Sequence, residues 1–224
     1  MRRSAIILAG GPSERFGRDK GLIKLSGKPL IRHVFDKVVT LVDNVFVVVS
    51  SKEQLKGYSK IFDSSTRIVL DESKVRSPLV GTITGFKSAN SGYPMLLPCD
   101  TPLISEKILS LMLDLVQGHD AVVPRWPSGY IEPLQSVYKT KVAYASAIDA
   151  FKKGELNLRS MISRLKKVLY FSTMAIQSMD TELHTFFNVN NADDLRRAEL
   201  VMSRVKNEHL EKRHKTFSPR TSKS

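Results

Sequence analysis

One cysteine in 224 residues, Cys99, excludes an internal disulfide framework, and no Cys/His group has the spacing of a structural zinc site. The five histidines, at positions 33, 119, 184, 209 and 214, are scattered and contain no HExxH. Aromatics make up 8% of the chain and are not interleaved with basic residues. RNP, KH and helix-turn-helix patterns are missing too, so nucleic acid is not expected as the main partner. No apolar run approaches the roughly 20 residues of a membrane span, so no membrane partner is expected. Arg2-Arg3 ahead of the apolar residues 5–9 has the start of a signal peptide, but the run is too short and meets Gly-Gly-Pro. A cytoplasmic protein is expected. Acidic residues are also scarce: 22 Asp+Glu against 35 Lys+Arg leave a net charge of +13. That excess suits an anionic ligand, a nucleic acid or an acidic surface. Neither a Walker A loop nor a GxGxxG loop is present.

What is present is an alternation of two periodicities. Short runs at 5–9, 45–50, 67–70, 95–98 and 121–124 are rich in Val, Ile or Leu, as strands covered on both faces are. Between the first two, residues 29–41 place Leu30, Val34, Val38 and Leu41 at helical spacing behind a proline. Residues 52–62, 80–91 and 104–116 read likewise. This predicts an α/β fold with a doubly wound, mostly parallel sheet between helical layers. The second half is less regular, with a strand expected over 131–138, helices over 141–152 and 158–165, and a strand over 168–172. Asn191 reads as an N-cap, with Asp193 and Asp194 in the first turn of a last helix. The closing residues, KTFSPRTSKS, have little to bury, so 214–224 is expected to be a disordered basic tail behind a single domain of residues 1–213.

In an open parallel sheet, ligands gather at the carboxyl ends of strands near the switch point. Two stretches belong there. LAGGPSERFGRDKG, residues 8–21, follows the first strand. Gly10 and Gly11 would let backbone N–H groups approach a polyphosphate closely, with Arg15, Arg18 and Lys20 supplying positive charge. The same composition also describes a solvated structural turn. Cys99-Asp100-Thr101-Pro102 follows the run 95–98. A carboxylate at a strand terminus is placed to hold Mg²⁺ against phosphate oxygens, or to close an Asx turn or cap a helix entry. Asp71 ends another run and could accept hydrogen bonds from a base or ribose, or close a turn. Cys99 reads as a buried strand residue and not as a nucleophile, since nothing suggests a base beside it.

LAGGPSERFGRDKGLIKLSGKPLIRHV resembles the signature LAGGxSxRMGxDKGLxxLxGxPLxxHV of the molybdenum cofactor guanylyltransferases, within the nucleotidyltransferases of glycosyltransferase-A-like fold. The similarity continues in order through Asp71, SPLVGTITG (77–85), PCDTPLI (98–104) and NVNNADDL (188–195). DKG, as distinct from the EKP of sugar and cobinamide relatives, favours the molybdenum branch. The resemblance implies a Rossmann-like three-layer α/β/α fold, with a nucleotide half over about 1–120 and an acceptor half over about 121–200. It implies Mg²⁺-dependent transfer of GMP from GTP to a molybdopterin-type phosphorylated acceptor by a monomer or weak oligomer. Leu8, Ala9 and Gly10 would line guanine and ribose, and Asp71 would contact the nucleoside. Gly11, Arg15 and Lys20 would face the triphosphate, and Asp100 would hold the metal. Lys20, Arg15 and Asp100 would carry the catalysis, while Glu132, Asn188 and Asn190 would serve the acceptor, with Asn188 or Asn190 completing the metal's shell.

The chain departs from the pattern in three places. Ser50-Ser51-Lys52 stands where the family often has a nucleotide-touching asparagine, Glu132-Pro133 where it often has His-Pro, and Asn191 where threonine is usual. Cytidylyl-transferring relatives tend to have aspartate where Asn188 and Asn190 sit. The alternatives are a sibling enzyme acting on cobinamide phosphate, phospholactate or a sugar phosphate, and, from another class, a basic nucleic-acid-binding protein.

Overall fold

The strand β1 (Arg3–Leu8) can lie inside the sheet because nothing along Ala5-Ile6-Ile7 needs water: all three side chains are fully buried. The computed structural model describes residues 3–10, 19–63, 66–90 and 92–216, with side chains as far as Val205. After β1 come a 3-10 turn (Lys20–Leu22), the hairpin β2 (Lys24–Leu25) and β3 (Lys28–Pro29), helix α1 (Leu30–Val38), β4 (Asn44–Val49), α2 (Lys52–Tyr58) and β5 (Arg67–Leu70). The chain then crosses back through α3 (Pro78–Ala89) to β6 (Tyr93–Pro98), α4 (Glu106–Leu115), β7 (Ala121–Arg125) and β8 (Ser136–Tyr138). It ends with α5 (Thr140–Lys152), α6 (Leu158–Ile162), β9 (Val168–Ser172), α7 (Thr173–Gln177) and α8 (Ala192–Thr216).

Seven strands form one sheet in the order β5-β4-β1-β6-β8-β7-β9. Every pairing is parallel except those of β8, which runs antiparallel to both β6 and β7. Successive side chains of a strand point to opposite faces, and each face carries its own core. Ala5, Ile7, Val47, Met95 and Leu97 pack against α1 and α4, while Ile6, Phe46, Val48 and Leu96 pack against α3 and α5. Helices on both faces of a mostly parallel sheet make the three-layer, doubly wound α/β/α fold that the alternation predicts.

Helix α3 lies close on β1, and Gly85 is the reason it can. A Cβ built there would sit 2.5 Å from Ile6 Cγ2 and 3.4 Å from Val48 Cγ2. Gly85→Ala is expected to destabilise by about 1–3 kcal/mol through overpacking, although alanine is the better helix former. Urea unfolding of the two proteins measures this; an unchanged midpoint would show that α3 lifts without cost.

Several boundaries differ from the sequence expectation. The stretch 131–138 forms a strand only over Ser136–Tyr138, with Ile131 making an isolated bridge to Arg125. Pro133 lies between them and has no N–H to give to a ladder. Helix α2 ends at Tyr58, α4 begins at Glu106 and α6 ends at Ile162, each shorter than the periodic run. Helix α8 continues to Thr216, past residue 214 where disorder was expected, and 217–224 lie outside the described residues. The hairpin of β2 and β3 went unforeseen, although Leu25-Ser26-Gly27-Lys28 carries its signal. Ser26 and Gly27 both take positive φ, 50° and 82°, as a tight two-residue hairpin turn demands. Among the described residues no helix is long and apolar enough to cross a membrane.

Candidate active site

Strands β1 and β6 are neighbours with Leu8 opposite Pro98, so the residues that follow them leave the same edge side by side. From β1 the chain builds outward to β4 and β5, then returns to the other side as β6. A crevice opens at such a reversal. Here it is a cavity of about 360 Å³, and Leu8, Ala9, Gly10, Lys20, Asp71 and Asp100 all line it. These are the described residues that the sequence assigns to nucleotide and metal; Gly11 and Arg15 lie outside the described residues.

Lys20 reaches the crevice from the 3-10 turn, whose N-cap is Asp19. Its Nζ lies 2.5 Å from Asp100 Oδ2 and donates to Asn190 Oδ1 at 2.8 Å. Both partners of the ion pair are mostly sequestered, with 20% and 16% of the side chains exposed. Asn190 is brought there because Val189 N–H donates to the Asp100 carbonyl, at 2.9 Å. The following turn is anchored by Asn191, whose Oδ1 accepts from the N–H groups of Asp193 and Asp194, so the expected N-cap is present. Asp100 Oδ1 is buried and has no hydrogen-bond partner among the described residues. Asp100 Oδ1 and Asn190 Oδ1 are hard oxygen donors. Among the described residues no three His, Cys, Asp or Glu side chains gather to form a complete metal cage. One carboxylate and one amide oxygen fit a hard cation such as Mg²⁺, which keeps several waters and takes other ligands from phosphates.

Asp71, which follows β5 and also lines the cavity, is 6% exposed. Its N–H donates to Val49 O at 2.7 Å, and its Oδ1 accepts from Ser73 N–H and Thr84 Oγ1. Ser50, where an asparagine would have been usual, donates through Oγ to the Gly10 carbonyl at 2.6 Å. Gln54 Nε2 donates to the Ala9 carbonyl at 3.1 Å, so Ser50 and Gln54 together hold the entry of the loop after β1. Sequence reasoning gave neither of them this part, used Asp19 only as the first residue of DKG, and did not single out Tyr58; the spacing of Gln54 and Tyr58 by one helical turn was the available signal. Cys99 falls just beyond the end of β6, not within it, and burial pushes its thiol well above its ordinary pKa, which keeps it protonated and inert.

The expected acceptor residues divide. Asn190 joins the Lys20–Asp100 pair. Asn188 Nδ2 donates back to the Phe186 carbonyl. Glu132 does not line the cavity, although Leu134, two residues on, does. Burial raises the Glu132 carboxyl above its ordinary pKa, against a bond from Trp126 Nε1 at 2.7 Å. Trp126 also packs on Phe186, with ring centroids 5.5 Å apart.

A doubly wound sheet whose switch-point crevice joins a lysine-bearing loop to a strand-end carboxylate suits the binding of a nucleotide's phosphates, and the class of protein it serves here is nucleotidyltransferase. The chain belongs to the MobA-like NTP transferase family, whose domain model matches residues 5–168. It is 31% identical over 198 residues to a probable molybdenum cofactor guanylyltransferase of Methanosarcina mazei, covering 86% of this chain and 88% of that one. A protein of the same description from Pyrococcus horikoshii is 33% identical over 201 residues, covering 87% and 98%. Among solved structures, molybdopterin-guanine dinucleotide biosynthesis protein A of Archaeoglobus fulgidus superposes with a TM-score of 0.76 at 26% identity, over 90% of this chain and 99% of that one.

Proposed function

We propose that this chain transfers GMP from GTP, with Mg²⁺, to the terminal phosphate of a molybdopterin-type acceptor and releases pyrophosphate. The observation that carries the reading is the Lys20–Asp100 pair: a cation and a carboxylate 80 positions apart converge on the edge of the switch-point cavity. The relatives' names supply the nucleotide and the acceptor class.

In this reaction an acceptor phosphate oxygen attacks the α-phosphorus of GTP in line. A new P–O bond forms, the bond to the β-phosphate's bridging oxygen breaks, and its electron pair leaves with pyrophosphate. The acceptor phosphate is already ionised at neutral pH, so no general base is required. The work of the protein is positioning and charge neutralisation. Leu8, Ala9 and Gly10 would hold guanine and ribose, and Asp71 the nucleoside. Lys20, with Gly11 and Arg15, would neutralise charge on the transferred and leaving phosphates. Asp100 and Asn190 would hold Mg²⁺, which when bound stabilises negative charge on phosphate oxygens. Glu132 and Asn188 would act on the acceptor side.

A pyrophosphate-release assay over four nucleoside triphosphates and a panel of phosphorylated acceptors tests this. Turnover is expected for GTP with molybdopterin. GTP preference with turnover of cobinamide phosphate, phospholactate or a sugar phosphate instead would reassign the acceptor. No pyrophosphate from any pair would end the transferase reading.

A further inference from the structure

Helix α2 holds both described ends of the loop that leaves β1, and does so through residues one helical turn apart, Gln54 and Tyr58. At the entry, Gln54 Nε2 donates to Ala9 O, Gln54 Oε1 accepts Ser50 N–H at 2.8 Å, and Ser50 Oγ donates to Gly10 O. At the exit, Tyr58 Oη donates to Asp19 Oδ1 at 2.5 Å. Tyr58 is fully buried, and burial raises its phenol well above the ordinary pKa, so it remains a donor. The same Asp19 oxygen accepts Gly21 N–H at 3.0 Å, closing the turn that carries Lys20. The packing here leaves no slack: a Cβ on Gly21 would sit 2.3 Å from Tyr58 Oη. Asp19 Oδ2 is buried with no partner among the described residues, so the contacts to Oδ1 orient the carboxylate.

We infer that Tyr58 is a positioning residue for Lys20, acting through Asp19 to fix the turn from which the ammonium meets the phosphates of a bound nucleoside triphosphate. This rests on the role proposed above for Lys20. Asp100 and Asn190 hold the head group, and the braced turn fixes the point from which the flexible stem reaches them. Without the phenol hydroxyl, Asp19 keeps a single donor in a buried setting, and the turn is free to relax around it.

The test compares binding of GTP with Mg²⁺ and of guanosine, which has no phosphates, to the full chain and to Tyr58→Phe. GTP affinity is expected to fall about tenfold, while guanosine affinity stays within about twofold. Equal losses for both ligands, or no loss for either, would overturn the inference. Gly21→Ala is the second variant and keeps the inference decidable if Tyr58→Phe fails to fold. Its Cβ should push Tyr58 off Asp19 and give the same phosphate-selective loss. In Tyr58→Phe the oxygen at 2.3 Å is gone and the nearest ring carbon is at 3.2 Å, which a small shift accommodates, so Gly21→Ala should add little to it; fully additive losses would overturn the coupling. A wild-type chain with no preference for GTP over guanosine would overturn the function reading and this inference with it. Wild-type preference retained in Tyr58→Phe overturns the inference alone.

Discussion

Lys20→Ala is expected to lower kcat about 10²–10³-fold, which is the usual cost of removing one preorganised charge-stabilising donor from a reaction centre. The ammonium lines the cavity, as Arg76 does beside Asp71, and it is held there by Asp100 and Asn190 before any phosphate arrives. In the proposed reaction, attack on GTP develops charge on the α-phosphate and on the departing pyrophosphate, with no general base or covalent intermediate to share the burden. The variant should also lose stability, because Asp100 sits at a strand end on a short side chain and cannot follow its lost partner into solvent. Breaking a wholly buried pair costs about 3–5 kcal/mol, and the residual exposure of this pair reduces that to about 1–3 kcal/mol. Pyrophosphate release at saturating GTP and a urea melt separate the two effects. Turnover within about threefold of wild type would remove Lys20 from the reaction.

Asp100→Ala is expected to reduce Mg²⁺-dependent pyrophosphate release at least about 10³-fold and to abolish its dependence on Mg²⁺ concentration. The buried Oδ1, which has no partner among the described residues, is the reason for the strength of this expectation. A buried carboxylate oxygen with no partner costs free energy unless something binds it, and the lysine engages only Oδ2. The effect on folding should be smaller than that of Lys20→Ala, since a freed lysine can extend its long stem into water. Circular dichroism and thermal melting establish that the fold is kept. Undiminished turnover in Asp100→Ala would sink the metal assignment, whatever the fate of Lys20.

The apolar strands were the legible part of the chain. β5 and β9 coincide with the apolar runs at 67–70 and 168–172, and β1, β4, β6 and β7 lie within two residues of theirs. The inner strands β1, β4, β6 and β7 are mostly buried and have few polar positions. The edge strands β5 and β9 still read as apolar runs although their side chains are only partly covered. β8 was less legible, because Pro133 and the antiparallel insertion between β6 and β7 are decided by partners distant in sequence. The site follows the same division. Lys20, Asp71 and Asp100 could be picked out because each sits in a motif at or after a strand end. Ser50, Gln54, Thr84 and Tyr58 could not: each acts on a backbone or carboxylate that lies 13 to 45 positions away.

The sequence by itself determined the α/β alternation, the two strand-end motifs and the shortage of histidine and cysteine chemistry. All of these are local properties of periodicity and residue type. Only the tertiary structure decided that Lys20 and Asp100 form a pair, that Asn190 joins them while Asn188 donates elsewhere, and that Tyr58 braces the turn through Asp19. Those contacts exist because β1 and β6 pair in a register that sets Leu8 against Pro98, and because α2 sets Gln54 against the Ala9 carbonyl and Tyr58 against Asp19. Register and helix placement are settled by the burial of whole faces at once, and no short stretch of residues encodes them alone.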